Sequence, residues 1–230
     1  MKLVLLPGMD GTGRLFAPLL GRLDDRVEPV VIGYPEHEQL DYGQLHRFVR
    51  ARLPRDEPFV LLGESFSGPI AIMLAAEAPA GLSGLILCAT FARNPMPALA
   101  PFGRIAAGLP LKALPVSVIA LALFGRASSS SLHKALNGAL AGVATQVMRR
   151  RMSEVLDCDV SALAKTIRVP SLYLRGTKDR LVSLRSAHEL QDCVPGLKIA
   201  TLDAPHMVLQ TMPAQSAELI HAFASELCTQ

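Results

Sequence analysis

The sequence has no tryptophan, and aromatic residues make up only 5% of its 230 positions. The apolar half of the chain therefore consists mostly of Ala, Leu, Val and Ile, a mix that suits helices packed on a buried sheet. One-sided charge is missing too. Lys and Arg total 23 against 20 for Asp and Glu, a formal net charge of +3, so there is no extended basic field and nucleic acid is excluded as the expected partner. The four cysteines, Cys88, Cys158, Cys193 and Cys228, are far apart with no C-x-x-C pair. That spacing excludes a zinc ribbon and a dense disulfide framework, and reads as reduced thiols of a cytoplasmic protein. No H-E-x-x-H or paired Cys/His set calls for a metal. The N-terminus carries one positive residue and too short an apolar run before Pro7-Gly8 for a signal peptide. The mostly apolar stretch from Ile105 to Phe124 is interrupted by Gly108, Pro110, Lys112 and Pro115. Its unbroken part, Val116 to Phe124, is about half of a bilayer-spanning helix, so we expect a buried or pocket-lining helix and no transmembrane segment.

What is present is a rhythm. A chain of 24.6 kDa with half its residues apolar can bury a full core as one globular domain. The run Leu3 to Leu6 ends in Pro7-Gly8 and reads as a short buried strand. Helical spacing follows over Arg14 to Leu23, then a strand over Val27 to Ile32, a helix over residues 41–53, and a strand from Phe59 to Leu62 entering Gly63. Pro69 to Ala78 reads as helix and Gly84 to Cys88 as strand. Residues 91–165 break the alternation with several prolines, no convincing strand, and a long helical stretch from Leu132 to Leu156. Arg149-Arg150-Arg151 within it reads as a solvated helix face. The rhythm resumes with a strand over Ser171 to Arg175, a helix over Ser183 to Cys193, a strand over Leu197 to Leu202 and a closing helix over Ala214 to Leu227. Six strands joined by helices predict a doubly wound, mainly parallel α/β sheet, in which ligands bind at the carboxyl ends of the strands.

Two nucleotide motifs fail at the first glycine cluster. Gly8 to Gly13 spans G-x-x-x-x-G, but Arg14 and Leu15 follow where a P-loop needs Lys and Ser or Thr. The order G-x-x-G-x-G is not that of a dinucleotide fingerprint either. No cofactor is expected.

Chemistry concentrates at Gly63-Glu64-Ser65-Phe66-Ser67-Gly68, between a predicted strand and a predicted helix. A sharp strand-to-helix turn strains the central residue and admits only small side chains two positions away on each side, here Gly63 and Ser67, which lifts Ser65 to the tip. Glu64 either lines a pocket or points away. Just beyond the last two strands lie Asp179 and His206, 27 residues apart. Asp203 is a second acid near His206, but three positions is too close to reach the far ring nitrogen readily. His37, His46, His133, His188 and His221 lie in helices or away from strand ends and read as ordinary surface or packing residues.

With the elbow, the Leu6-Pro7-Gly8-Met9-Asp10-Gly11 turn, the Leu174-Arg175-Gly176-Thr177-Lys178-Asp179 strand end with Val182 beyond it, and Ala204-Pro205-His206 in this order, the chain resembles the α/β-hydrolase superfamily along nearly its whole length. The resemblance implies that Ser65, Asp179 and His206 form a catalytic triad and that the backbone N–H groups of Met9 and Phe66 form the oxyanion hole. It implies a core of residues 1–90 and 166–230, starting at the family's third strand without its N-terminal hairpin, and a helical cap over residues 91–165. The implied activity is cofactor-free serine esterase chemistry on a small acyl ester or thioester, methyl esters and carrier-protein-bound chains among them. Acyl transfer to an alcohol, and ligand binding without turnover, stay open as alternatives.

Overall fold

The computed structural model describes residues 1–55, 57–97 and 116–228. Six strands form one sheet: β1 (Lys2–Leu6), β2 (Glu28–Val31), β3 (Phe59–Glu64), β4 (Leu82–Cys88), β5 (Ser171–Gly176) and β6 (Lys198–Leu202). Their order is β2-β1-β3-β4-β5-β6, and every pairing among the described residues is parallel. The sheet is apolar on both faces because successive side chains alternate. Val4, Leu6, Leu61, Leu85, Leu87 and Tyr173 pack on one side, while Leu3, Leu5, Val60, Leu62, Ile86 and Leu174 pack on the other.

The first side is covered by α2 (Tyr42–Arg50) and α3 (Gly68–Ala76), and the second by α1 (Ala17–Leu20) and the C-terminal α10 (Pro213–Cys228). Asp41 starts α2 with a capping box, accepting from the Gln44 N–H at 2.7 Å while the Gln44 side chain accepts from the Asp41 N–H at 2.9 Å. Between β4 and β5 the described residues form α4 (Val116–Phe124), α5 (Ser130–Ala141), α6 (Thr145–Leu156) and α7 (Ser161–Ala164); α8 (Leu184–Cys193) and α9 (Val208–Thr211) lie later in the chain.

Two expectations change. The helix read over Arg14 to Leu23 is only a 3-10 turn, Arg14–Phe16, followed by the four-residue α1, which stops at Gly21. The long helix read from Leu132 to Leu156 is two helices broken at Gly142-Val143-Ala144. The break has a cause in a contact with a distant loop: the Ala144 N–H leaves helical bonding to donate to the Glu36 carbonyl at 2.9 Å, and Gly142 lies so close to the Glu36 carboxylate that a Cβ there would collide with it. Most of the apolar Ile105 to Phe124 stretch lies outside the described residues; its last nine residues are α4. Among the described residues no helix is long and apolar enough to cross a membrane.

The chain runs outward from β1 to β2 and then returns to the other side of β1 through β3. The carboxyl ends of β1 and β3 therefore diverge into loops on opposite sides, which opens a crevice between the turn after Leu6 and the turn after Glu64.

Candidate active site

Ser65 stands at that crevice with φ of +49°, a left-handed conformation that a side chain adopts only under constraint. The surroundings supply the constraint. A Cβ on Gly63 would lie 2.7 Å from the Ala71 Cβ and 2.9 Å from the Ser67 carbonyl oxygen, so only glycine lets the strand meet the helix this closely. Thr90 Oγ1 donates to the Ser65 carbonyl at 2.5 Å, and Tyr42 donates its hydroxyl to the Phe66 carbonyl at 3.0 Å while stacking on the Phe66 ring with centroids 4.8 Å apart. Ser67 is more than a small residue here. It is fully buried, its hydroxyl donates to the Pro7 carbonyl, and Tyr34 hydrogen-bonds to its Oγ at 2.5 Å, tying the elbow to the turn after β1.

The three candidate side chains meet. Ser65 Oγ lies 2.9 Å from His206 Nε2, and His206 Nδ1 lies 2.9 Å from Asp179 Oδ2. The Asp179 carboxylate also accepts the backbone N–H groups of Leu181 at 2.8 Å and Val182 at 2.9 Å, so its orientation is fixed on both oxygens. Ionised, it can only accept, which puts the imidazole proton on Nδ1 and leaves Nε2 to accept from the Ser65 hydroxyl. The loops that carry Asp179 and His206 are joined: Thr177 N–H donates to the Leu202 carbonyl and Lys178 N–H to the Ala204 carbonyl, both at 2.9 Å. Asp203 takes no part. It is bound by Thr177 at 2.9 Å and Lys178 at 2.7 Å on the exposed side of the loop.

The turn after β1 closes with the Gly11 N–H donating to the Gly8 carbonyl at 3.0 Å, and Asp10 accepts from the Thr12 N–H and hydroxyl. Among the described residues nothing accepts the Met9 N–H. Met9 and Phe66, the expected oxyanion donors, line one cavity together with Ser65 and His206. Phe66 is the second residue of the 3-10 run Ser65–Ser67 after the strand, in the first turn, where backbone N–H groups have no intrahelical acceptor.

Arg151 corrects the expectation of a solvated arginine face. Arg149 is exposed and Arg150 pairs with Glu154 at 2.9 Å, but Arg151 is only 2% exposed. One step along a helix turns a side chain by about 100°, so three consecutive residues cannot share a face. Arg151 lies four residues from Val147 and from Val155, both buried, and therefore points inward. Its guanidinium donates to the carbonyls of Met9 at 2.9 Å, Asp10 at 2.7 Å and Pro35 at 3.1 Å.

The cavity has a volume of about 290 Å³ and is lined almost entirely by apolar side chains. Met9, Met96, Met148, Met152 and Met207 are among them, five of the eight methionines in the chain. Glu64 resolves to the second of its two expected positions: it does not line this cavity. It is 2% exposed and accepts from Gln210 Nε2 at 2.9 Å, while Gln210 Oε1 is buried with no partner among the described residues. Burial pushes the Glu64 carboxyl up to about 7, with Asp10 adding to the rise and Gln210 and His206 opposing it. Sequence reasoning missed Arg151, Gln210 and the bonding of Ser67. Only Arg151 left a usable signal, its place on the apolar face of its helix. The remaining histidines lie outside the cavity. Among the described residues no group of three or more His, Cys, Asp and Glu side chains is arranged to hold a metal ion.

The sequence profile described as the alpha/beta hydrolase family matches residues 3–219. No curated protein matches the sequence. Solved structures do share the fold. An esterase from Exiguobacterium antarcticum superposes with a TM-score of 0.84 at 14% identity, covering 98% of this chain and 92% of its own. A thermophilic esterase from Thermogutta terrifontis gives 0.82 at 18% identity, with 99% and 90% covered. The enol-lactonase from Burkholderia xenovorans LB400 gives 0.79 at 19% identity, with 100% and 91% covered.

Proposed function

The chain belongs to the alpha/beta hydrolase family, and from that premise we propose that it is a serine-type carboxylic ester hydrolase working through an acyl-enzyme on Ser65. The observation that carries the reading is the unbroken relay Ser65 Oγ, His206 Nε2, His206 Nδ1, Asp179 Oδ2, with 2.9 Å at each hydrogen bond, opening onto an apolar cavity.

The chemistry follows from the acceptor and donor roles. Ser65 Oγ attacks the acyl carbonyl as His206 Nε2 takes its proton, and Asp179 stays ionised and stabilises the imidazolium. The N–H groups of Met9 and Phe66 hold the oxyanion; one such donor is worth about 10²–10³ in rate. The tetrahedral adduct collapses as His206 returns the proton to the leaving alkoxide or thiolate, giving the acyl-enzyme. Water then gives a proton to His206 and its oxygen attacks the acyl carbon, and the second collapse releases the carboxylic acid and restores the Ser65 hydroxyl.

Residues 91–165 act as the cap of this enzyme and residues 1–90 and 166–230 as its core. Substrate choice falls to the cavity wall that the cap supplies through Ile119, Leu123, Leu136, Leu140, Met148 and Met152. At about 290 Å³ the cavity is near the lower end of ligand pockets, roughly 300–1,000 Å³. Unbranched methionines repack around flexible apolar groups, so the reading favours esters or thioesters with short to medium acyl chains. The test is turnover of a series of 4-nitrophenyl, methyl and thioesters by the wild-type protein and by Ser65→Ala. Hydrolysis lost in the variant supports the reading; equal hydrolysis in both, or none across the series, overturns it.

A further inference from the structure

The turn that carries Met9 is built from an unusual set of partners. The Pro7 carbonyl is held by Ser67, the Gly8 carbonyl by the Gly11 N–H, and the Gly11 carbonyl by the Tyr34 N–H at 2.7 Å; all of these belong to the sheet and its loops. The Met9 and Asp10 carbonyls are different. Both are held by one side chain, Arg151, which comes from α6 more than 140 positions later in the sequence. Gly11, with φ of +72°, lies flat against the same guanidinium; a Cβ there would sit 2.7 Å from Arg151 Cζ. Among the described residues Arg151 makes no direct ion pair, the Asp10 and Glu36 carboxylates act on it only at longer range, and its Cζ is 5.6 Å from the centre of the Tyr34 ring. A buried cation whose hydrogen bonds all go to carbonyls costs desolvation energy that a neutral side chain would not, and the Asp10 and Glu36 carboxylates offset only part of it: burial still pulls the Arg151 guanidinium below its ordinary range. Plain packing in α6 does not call for it.

Arg151 Nη1 donates to both successive carbonyls while Nη2 is anchored on the Pro35 carbonyl, and because a guanidinium donates along set directions this fixes the two peptide planes that follow Met9 and Asp10. The Gly8–Met9 peptide, which carries the Met9 N–H, is fixed by the Gly11 N–H on the Gly8 carbonyl, and Arg151 fixes the peptide on the other side of Met9, so the backbone there is clamped from both sides while its N–H has no acceptor among the described residues at the cavity that Ser65 also lines. We propose that Arg151 is a positioning residue for the reaction: it sets the oxyanion turn, so that the oxyanion site is complete only when α6 is docked on the sheet. The inference rests on the reading of Ser65 as nucleophile and Met9 as an oxyanion donor. It also makes the helices between β4 and β5 part of the transition-state machinery, beyond their service as cavity wall. The Tyr42 N–H donating to Glu154 at 2.8 Å supports the docking of α6, and Arg14 donating to the Gly138 carbonyl at 2.9 Å ties down the neighbouring α5.

The test compares wild type, Arg151→Lys and Arg151→Met, with Ser65→Ala as the blank. It measures kcat and KM for 4-nitrophenyl butyrate and the inhibition constant of butylboronic acid, whose tetrahedral adduct places an oxygen anion where the oxyanion forms. For Arg151→Met we expect kcat to fall about 100-fold, the loss of one oxyanion donor, with KM within threefold of wild type. Boronate inhibition should weaken by a factor similar to the loss in kcat. Arg151→Lys keeps a cation able to reach one carbonyl and should recover about tenfold of the loss. A role in folding alone predicts a lowered melting temperature with unchanged kcat and boronate affinity for the folded fraction, and that result overturns the proposal. If Arg151→Met does not fold, Arg151→Lys decides: about a tenfold loss in kcat at constant KM sustains the proposal, and wild-type kcat overturns it. Activity that survives in Ser65→Ala overturns the reading of the nucleophile and the proposal with it. A dead Ser65→Ala beside a fully active Arg151→Met overturns the positioning role alone.

Discussion

Replacing Glu64 by Gln should raise stability at neutral pH and leave it nearly unchanged in mild acid. Glu64 ends β3 with its side chain sealed from solvent, and its carboxyl is pushed from an ordinary 4.5 to about 7 chiefly by burial. Below pH 4.5 the group is protonated whether the chain is folded or not, so it contributes no pH dependence. Between 4.5 and 7 the unfolded chain gives up this proton while the folded chain keeps it. The unfolded state then binds fewer protons, and stability falls as pH rises. Each pH unit is worth about 1.4 kcal/mol, so the window amounts to about 3 kcal/mol, after which the contribution is flat. Gln at this position has no proton to lose. Its amide can donate to the orphaned Gln210 Oε1 while its carbonyl keeps the bond from Gln210 Nε2, as the protonated acid can. Urea unfolding of both proteins at pH 5 and pH 8 measures the effect, and taking the difference between them cancels every other titrating group that the substitution does not disturb. The gap should widen in favour of Glu64→Gln by about 2–3 kcal/mol, roughly a 1 M change in midpoint separation at typical urea slopes. Stability curves that run parallel in pH would refute the reasoning, since they would mean that Glu64 ionises equally easily in both states.

Other consequences can be measured separately. Asp179→Asn removes the acceptor that sets the His206 tautomer, and kcat for 4-nitrophenyl butyrate should fall about 10³–10⁴-fold with KM little changed; a loss below tenfold would contradict the relay. Gly63→Ala drives a methyl into Ala71 and the Ser67 carbonyl, so urea unfolding should show a loss of about 1–3 kcal/mol, against no loss if the elbow relaxes freely. Met152→Phe stiffens and narrows the cavity wall, and kcat/KM for the octanoate ester should drop about tenfold relative to the acetate ester; an unchanged ratio would remove Met152 from chain-length selection.

The sheet was legible because its strands are buried on both faces and appear as unbroken runs such as Leu3 to Leu6, which stops at Pro7-Gly8, and Phe59 to Leu62, which runs into Gly63. The candidate site was legible because its parts lie at strand ends, where a short motif has a fixed structural context: Ser65 after β3, Asp179 after β5, His206 after β6. What failed to show in the sequence depends on contacts between distant segments. Gln210 carries no mark of the bond it makes to Glu64, and the break at Gly142 is decided by Glu36. Arg151 was concealed by its neighbours. Three consecutive arginines read as solvent-facing by composition, and only their spacing from Val147 and Val155 separates the inward one from the two others.

Labelling with a fluorophosphonate, followed by mass spectrometry of the intact protein and of its proteolytic peptides, tests the central claim most directly. The account predicts one phosphonyl adduct per chain, carried by the peptide that contains Ser65 and absent from Ser65→Ala. An adduct on another residue, or none on the folded wild-type protein, would contradict it.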